Sequence, residues 1–148
     1  MNINLDDFML EAQFSLDSLP YEDFSEYKDS HQSEGMVAAL YFRWLLEKKL
    51  CHPKIYPKLA DIVDQKKSSL SLFYDLAEGI LQQSVMTTDA NNFTKVYYRP
   101  GWRYLYYSDL ESLFPDVANF SEIEDSPENI FIVFKLLDER FCEWKKLS

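Results

Sequence analysis

Residues 36–50 leave little choice of environment. Val37, Ala38, Ala39, Leu40, Tyr41, Phe42, Trp44, Leu45 and Leu46 cover almost every side of a helix, and only a helix packed at the centre of a domain buries apolar groups all round. Pro53 cannot continue that helix and restricts His52 before it, so the helix ends near Leu50. The remaining segments must then supply a shell. Three glycines and six prolines interrupt 148 residues, and the stretches between them follow helical spacing more often than strict alternation. The expectation is an all-α fold, a single-domain helical bundle of about six to seven helices. At this length two domains would each be marginal. Residues 1–34 form an acidic helix and loop, and residues 35–148 the core bundle.

The shell can be read from caps and stripes. Asn4 caps a first helix in which Leu5, Phe8, Met9, Ala12 and Leu16 share one face, Asp6 and Asp7 sit in the first turn, and Pro20 follows the end. Residues 21–33 show no apolar stripe and read as an ordered loop or a short turn of helix. Pro57 begins a helix with Leu59, Ile62 and Val63 inward and Lys58, Lys66 and Lys67 outward. Ser68 or Ser69 caps the next, carrying Leu72, Phe73, Leu76, Ala77 and Ile80, with Gly79 near its end. Thr87 or Thr88 starts another with Phe93, Val96 and Tyr97 on one face, broken by Pro100-Gly101. Over residues 102–108 strand propensity competes with helical spacing, since Leu105, Leu110, Leu113 and Phe114 also suit a short helix starting at Ser108. Ser126 followed by Pro127 opens the last helix, in which Ile130, Phe134, Leu137, Phe141 and Trp144 recur.

Charge is partitioned along the chain. Residues 1–34 carry −8, residues 35–103 carry +4 and residues 104–148 carry −6, for a net charge of −10. Folding does not require such segregation; net charge bears on solubility and association. The acidic balance argues against nucleic acid or anionic membrane as the main ligand, because both need Lys and Arg against phosphates. A weak basic face within residues 43–67 is the one exception. The N-terminus begins Met-Asn-Ile-Asn-Leu-Asp-Asp, without a positive leader, and no apolar run approaches the ~18 residues of a membrane span, so a cytoplasmic protein is expected. Cys51 and Cys142 then read as reduced, partly buried thiols.

Chemistry is hard to assemble from these residues. Glycines at 35, 79 and 101 build neither a Walker loop nor a dinucleotide fingerprint. Adjacent Cys51-His52 has no second ligand pair at a recognised spacing, so neither metal nor cofactor is expected. With 25 acids, pairs of carboxylates arise by chance. Two acidic stretches fit partner binding better. Tyr21, Glu22, Asp23, Glu26, Tyr27 and Asp29 mix rings with carboxylates, and residues 104–134 hold seven acids and no base, among them Asp116, Glu122, Glu124 and Asp125. Tyrosine supplies contact area with a polar tip, and acids steer Lys and Arg. The plainer alternative is a solvated loop with its rings on the core, and Asp125 placed by a helix start.

Three blocks resemble an uncharacterised family of small bacterial helical proteins. The first is Ala39-Leu40-Tyr41-Phe42-Arg43-Trp44-Leu45-Leu46-Glu47-Lys48-Lys49-Leu50, where Ala39 replaces the family's usual glycine. The second lies within residues 73–98, with Glu78-Gly79-Ile80-Leu81 and Asn91-Asn92-Phe93-Thr94-Lys95-Val96-Tyr97-Tyr98. The third runs from Asp125-Ser126-Pro127-Glu128-Asn129 to Asp138-Glu139-Arg140-Phe141-Cys142-Glu143-Trp144-Lys145-Lys146. The resemblance implies a fold and carries no catalytic residues. In size, charge and style the chain is also similar to immunity proteins of interbacterial toxin systems, an analogy rather than a motif. The expectation is a non-enzymatic immunity protein that neutralises a cognate, basic protein toxin, a nuclease, through its acidic-aromatic surface. The alternatives are an enzyme with a carboxylate or Cys-His site, and a non-catalytic adaptor.

Overall fold

The computed structural model describes residues 19–60, 68–98 and 105–147. The Asn4-capped helix, the inward and outward positions at 62, 63, 66 and 67, the Pro100-Gly101 break and residues 102–104 lie outside them. The described residues form six α-helices: α1 (Met36–Glu47), α2 (Ile55–Ala60), α3 (Ser69–Ala77), α4 (Thr88–Tyr97), α5 (Leu105–Leu113) and α6 (Pro127–Leu147). A short antiparallel ladder joins β1 (Glu22–Asp23) to β2 (Ile80–Leu81), pairing Glu22 with Leu81 and Asp23 with Ile80. The fold is an all-α bundle, and no described helix is long and apolar enough to cross a membrane.

Helix α1 occupies the centre, as its apolar circumference requires. All its residues from Met36 to Leu46 are buried except Arg43, which is half-buried and donates to Ser69 Oγ at 3.1 Å. It packs most extensively on α3, and also on α6 and on a 3-10 turn at Phe120–Glu122. Burying Tyr and Trp obliges their polar atoms to find partners. The Tyr41 hydroxyl meets Thr94 Oγ1 on α4 at 2.8 Å, and Trp44 Nε1 donates to Asp138 Oδ1 on α6 at 2.9 Å. Tyr106 on α5 donates to the Val37 carbonyl at 2.6 Å. Among the described residues no buried side-chain nitrogen or oxygen lacks a partner.

Local signals place most helix starts. Ser68 Oγ accepts from Ser71 N, Thr87 Oγ1 from Ala90 N and Ser126 Oγ from Asn129 N, so three orphan helix donors are satisfied. Glu78 (φ 59°) and Gly79 (φ +75°) end α3 in the left-handed region. Ile80, expected on the α3 stripe, therefore lies in β2.

Four expectations need correction. Helix α2 starts at Ile55 rather than Pro57; Pro57 falls in the first turn, where a missing N–H breaks no helical bond. Helix α5 starts at Leu105 rather than Ser108, and no strand occupies residues 105–107. Tyr106 and Leu110 are both fully buried while Ser108 between them is only half-buried; a helix brings i and i+4 to one face without i+2, whereas a strand would bury all three together. The segment after Tyr21 contains β1 as well as a 3-10 turn at Ser25–Tyr27. Cys51 and Cys142 are both free thiols, but Cys142 is exposed rather than partly buried.

Two glycines are required by one ring. A Cβ on Gly35 would stand 2.5 Å from the Tyr74 hydroxyl, and one on Gly79 would stand 2.8 Å from Tyr74 Cδ1. Tyr74 donates to the Gln32 carbonyl at 2.7 Å, and the His31 ring stacks on it at 5.6 Å with an interplanar angle of 1°.

Trp44 is fully buried against Phe93 and Phe141. Trp44→Ala should lower the unfolding free energy by about 3–5 kcal/mol, measured by urea denaturation with far-UV circular dichroism. A loss below about 1 kcal/mol would mean that α1 is not the centre of the core.

Candidate functional site

The candidate acids divide into those bonded into the fold and those facing solvent. Glu22, half-buried on β1, accepts hydrogen bonds from the hydroxyls of Tyr98 (3.2 Å) and Tyr107. Tyr21 is 8% exposed and donates to Asn91 Oδ1 at 3.0 Å, so its ring belongs to the core rather than to a docking surface. Asp125 accepts from Ser69 N and Ser69 Oγ, both at 2.7 Å. It holds the start of α3, a helix remote in sequence, while Ser126 caps α6 beside it. Asp23 shapes its own turn by accepting from Ser25 N and Ser25 Oγ.

Glu26, Asp29, Asp116, Glu122 and Glu124 are exposed, and Tyr27 is half-buried on the core. The charge and hydrogen bond of Glu26, then burial, then the charge of Glu34 raise the Tyr27 pKa. Glu34 lies in a 3-10 turn, Ser33–Gly35, that packs directly on the Phe120–Glu122 turn. The two acidic segments therefore meet in space. Glu34 was not singled out from sequence, because no aromatic residue adjoins it.

Asp29 stands near mixed charge. Lys28 pairs with Glu78. His31 Nε2 lies 3.1 Å from Asp75 Oδ1, and its Nδ1 lies 3.4 Å from Ser71 Oγ. This Ser71–His31–Asp75 chain links the loop before α1 to α3. Its serine-to-imidazole distance is near the outer limit of a hydrogen bond, and Ser71 Oγ also accepts from Ser68 Oγ at 3.0 Å. The Cys51-His52 pair offers less: burial pushes the Cys51 thiol up to about 12, so its reactive thiolate is scarce near neutral pH.

Asp109 on α5 joins two further helices. Arg140 on α6 donates to it through Nε (2.9 Å) and Nη2 (3.0 Å), and Tyr97 donates at 2.6 Å. Sequence reading missed this fork because its members are distant along the chain. Burial pushes the Asp109 carboxyl up, but the bonds from Arg140 and Tyr97 and the guanidinium charge outweigh it and hold its pKa below the usual range.

A family model described as a domain of unknown function, DUF7832, matches residues 21–123. The chain belongs to that uncharacterised family. The match runs from the start of the first acidic segment to the loop before α6. No curated protein and no solved structure matches the chain.

Because the folded Asp109 pKa is depressed, its stabilisation is present above the ordinary carboxylate value of about 4 and is lost as pH falls through the lower folded value. Urea titrations should therefore show Asp109→Asn less stable than wild type near pH 7, with the gap closing as pH falls below the ordinary carboxylate range. A gap independent of pH would show that the carboxylate's charge is not what Arg140 holds.

Proposed function

We propose that this protein is an immunity protein that acts in the cytoplasm, binding a cognate basic toxin domain, a nuclease, and blocking its access to nucleic acid. The observation that carries the reading is the packing of the Ser33–Gly35 turn on the Phe120–Glu122 turn, which brings exposed Glu34 and exposed Glu122 onto adjoining turns. Glu26, Glu34, Glu122 and Glu124 would stand where phosphates otherwise bind, steering a cationic partner into contact. Tyr27, seated on the core, would supply rigid contact area at low entropic cost. The turns are short and tied by backbone bonds such as Tyr27 N to the Phe24 carbonyl and Ile123 N to the Phe120 carbonyl, which suits a preorganised surface.

An enzyme is the second reading, favoured by the Ser71–His31–Asp75 chain. Labelling of Ser71 by a fluorophosphonate probe, abolished by His31→Ala, would support that reading over binding.

Co-expression with the toxin encoded beside it should restore growth, and purified protein should bind that toxin. Replacing Glu26, Glu34, Glu122 and Glu124 together by Gln should slow association roughly ten-fold or more at low ionic strength, with the difference closing near ~1 M salt. Stopped-flow fluorescence reads this directly. Absence of rescue, or unchanged association by the four-residue variant, would overturn the proposal.

A further inference from the structure

An open cleft of about 550 Å³ lies where α5 runs into the loop that follows it, lined by Glu111, Phe114, Val117, Ala118, Asn119 and Phe120 among others. That volume suits a few side chains or a small ligand. Its apolar walls are held from behind: Phe114, Val117 and Phe120 are half-buried and pack against the core, and Tyr107 meets the Phe120 ring edge-on at 5.3 Å and 83°. The loop is pinned as well. Glu122 accepts from Ala118 N at 3.1 Å and Asn119 Oδ1 from Ser121 N at 3.0 Å.

Every charged residue described in the cleft wall and its loop is acidic. Exposed Glu111 forms part of its wall, Asp116 lies within its loop, Glu122 sits beside Ala118, and no Lys or Arg occurs between residues 104 and 134. The last carbonyls of the nine-residue α5 also point toward this end, adding the negative pole of the helix dipole. An anion is disfavoured here, and a purely apolar side chain would leave Glu111 without a counter-charge. A side chain with an apolar stem, a flat cationic head and donors for a carboxylate satisfies both halves of the site. Arginine has that chemistry: its guanidinium stacks on aromatic faces and pairs bidentately with carboxylates, whereas the ammonium of lysine is a compact, strongly hydrated charge.

We propose that this cleft takes an arginine of the protein partner, flanked by apolar residues, with the guanidinium at Glu111 and the stem over Phe114 and Phe120. The inference rests on the acidic-surface reading, since the Phe120–Glu122 turn is shared between the cleft and that face. It adds an anchor that limits dissociation where the acidic face governs association.

The test is a ¹⁵N NMR titration of the full chain with acetyl-Ala-Leu-Arg-Leu-Ala-amide and with the same peptide carrying citrulline, which keeps the shape and removes the charge. Saturable shifts should appear at the amides of residues 111–122 but not Pro115. Binding should weaken roughly ten-fold for citrulline and for Glu111→Gln. Ala118→Trp, at an exposed position, should fill the cleft and abolish binding. No saturable shift up to about 5 mM peptide, equal binding of citrulline, or free arginine amide binding as tightly as the peptide would overturn the proposal. With the toxin itself, Ala118→Trp should speed dissociation and leave association unchanged. Should it leave both unchanged while the four-residue Gln variant still slows association, the arginine anchor fails and the acidic-face reading stands. No effect of either variant removes the acidic-face reading too.

Discussion

Burying α1 on every side sets the terms for the rest of the molecule. A helix with Tyr41 and Trp44 at its centre brings a hydroxyl and an indole N–H into the core, and leaving either unpaired would cost about 1–3 kcal/mol. Thr94 answers the first from α4 and Asp138 the second from α6, while Tyr106 on α5 reaches back to the Val37 carbonyl. Each bond fixes the rotation of a shell helix as well as its position. Apolar packing alone tolerates repacking; these directed contacts favour one arrangement of the shell.

The same constraint explains which parts of the fold were legible. A helix apolar all round and three helices announced by Ser68, Thr87 and Ser126 carry their information locally, within one or two turns. Strands of two residues have no period to detect, so β1 and β2 could not be seen until Glu22 met Leu81 across the chain. The early start of α5 was hidden because Tyr104 to Tyr107 favour strand by propensity, and the burial of Tyr106 with Leu110 overrides that preference.

For the candidate surface, charge patterning located the segments but not the duties of their members. Glu22 and Asp125 look like solvent-facing acids in sequence, yet one receives two tyrosine hydroxyls and the other holds the first turn of α3. Such partners lie 56 to 85 residues away, beyond any local window. Glu26 and Glu34, in contrast, stay at the surface because short turns lift them there, and Glu122, also exposed, bonds to Ala118 N within its own loop. Anchoring some acids in the core and exposing others lets one acidic stretch both close the fold and present charge, and the turns inherit rigidity from the anchored neighbours.

The clamp around Tyr74 has a kinetic consequence. Its ring lies between two backbone segments that only glycine lets approach, under a parallel imidazole and with its hydroxyl on the Gln32 carbonyl. A half-turn of that ring about its Cβ–Cγ axis leaves the hydroxyl end beside Gly35 in place. It carries Cδ1 and Cε1 out of the plane, past Gly79 on one edge and into the stacked His31 ring, so rotation is eased when the loop before α1 lifts from α3. The symmetry of the ring makes the two positions equivalent in energy, and the exchange between them becomes an internal clock for the opening of the segment that carries Glu26 and Glu34.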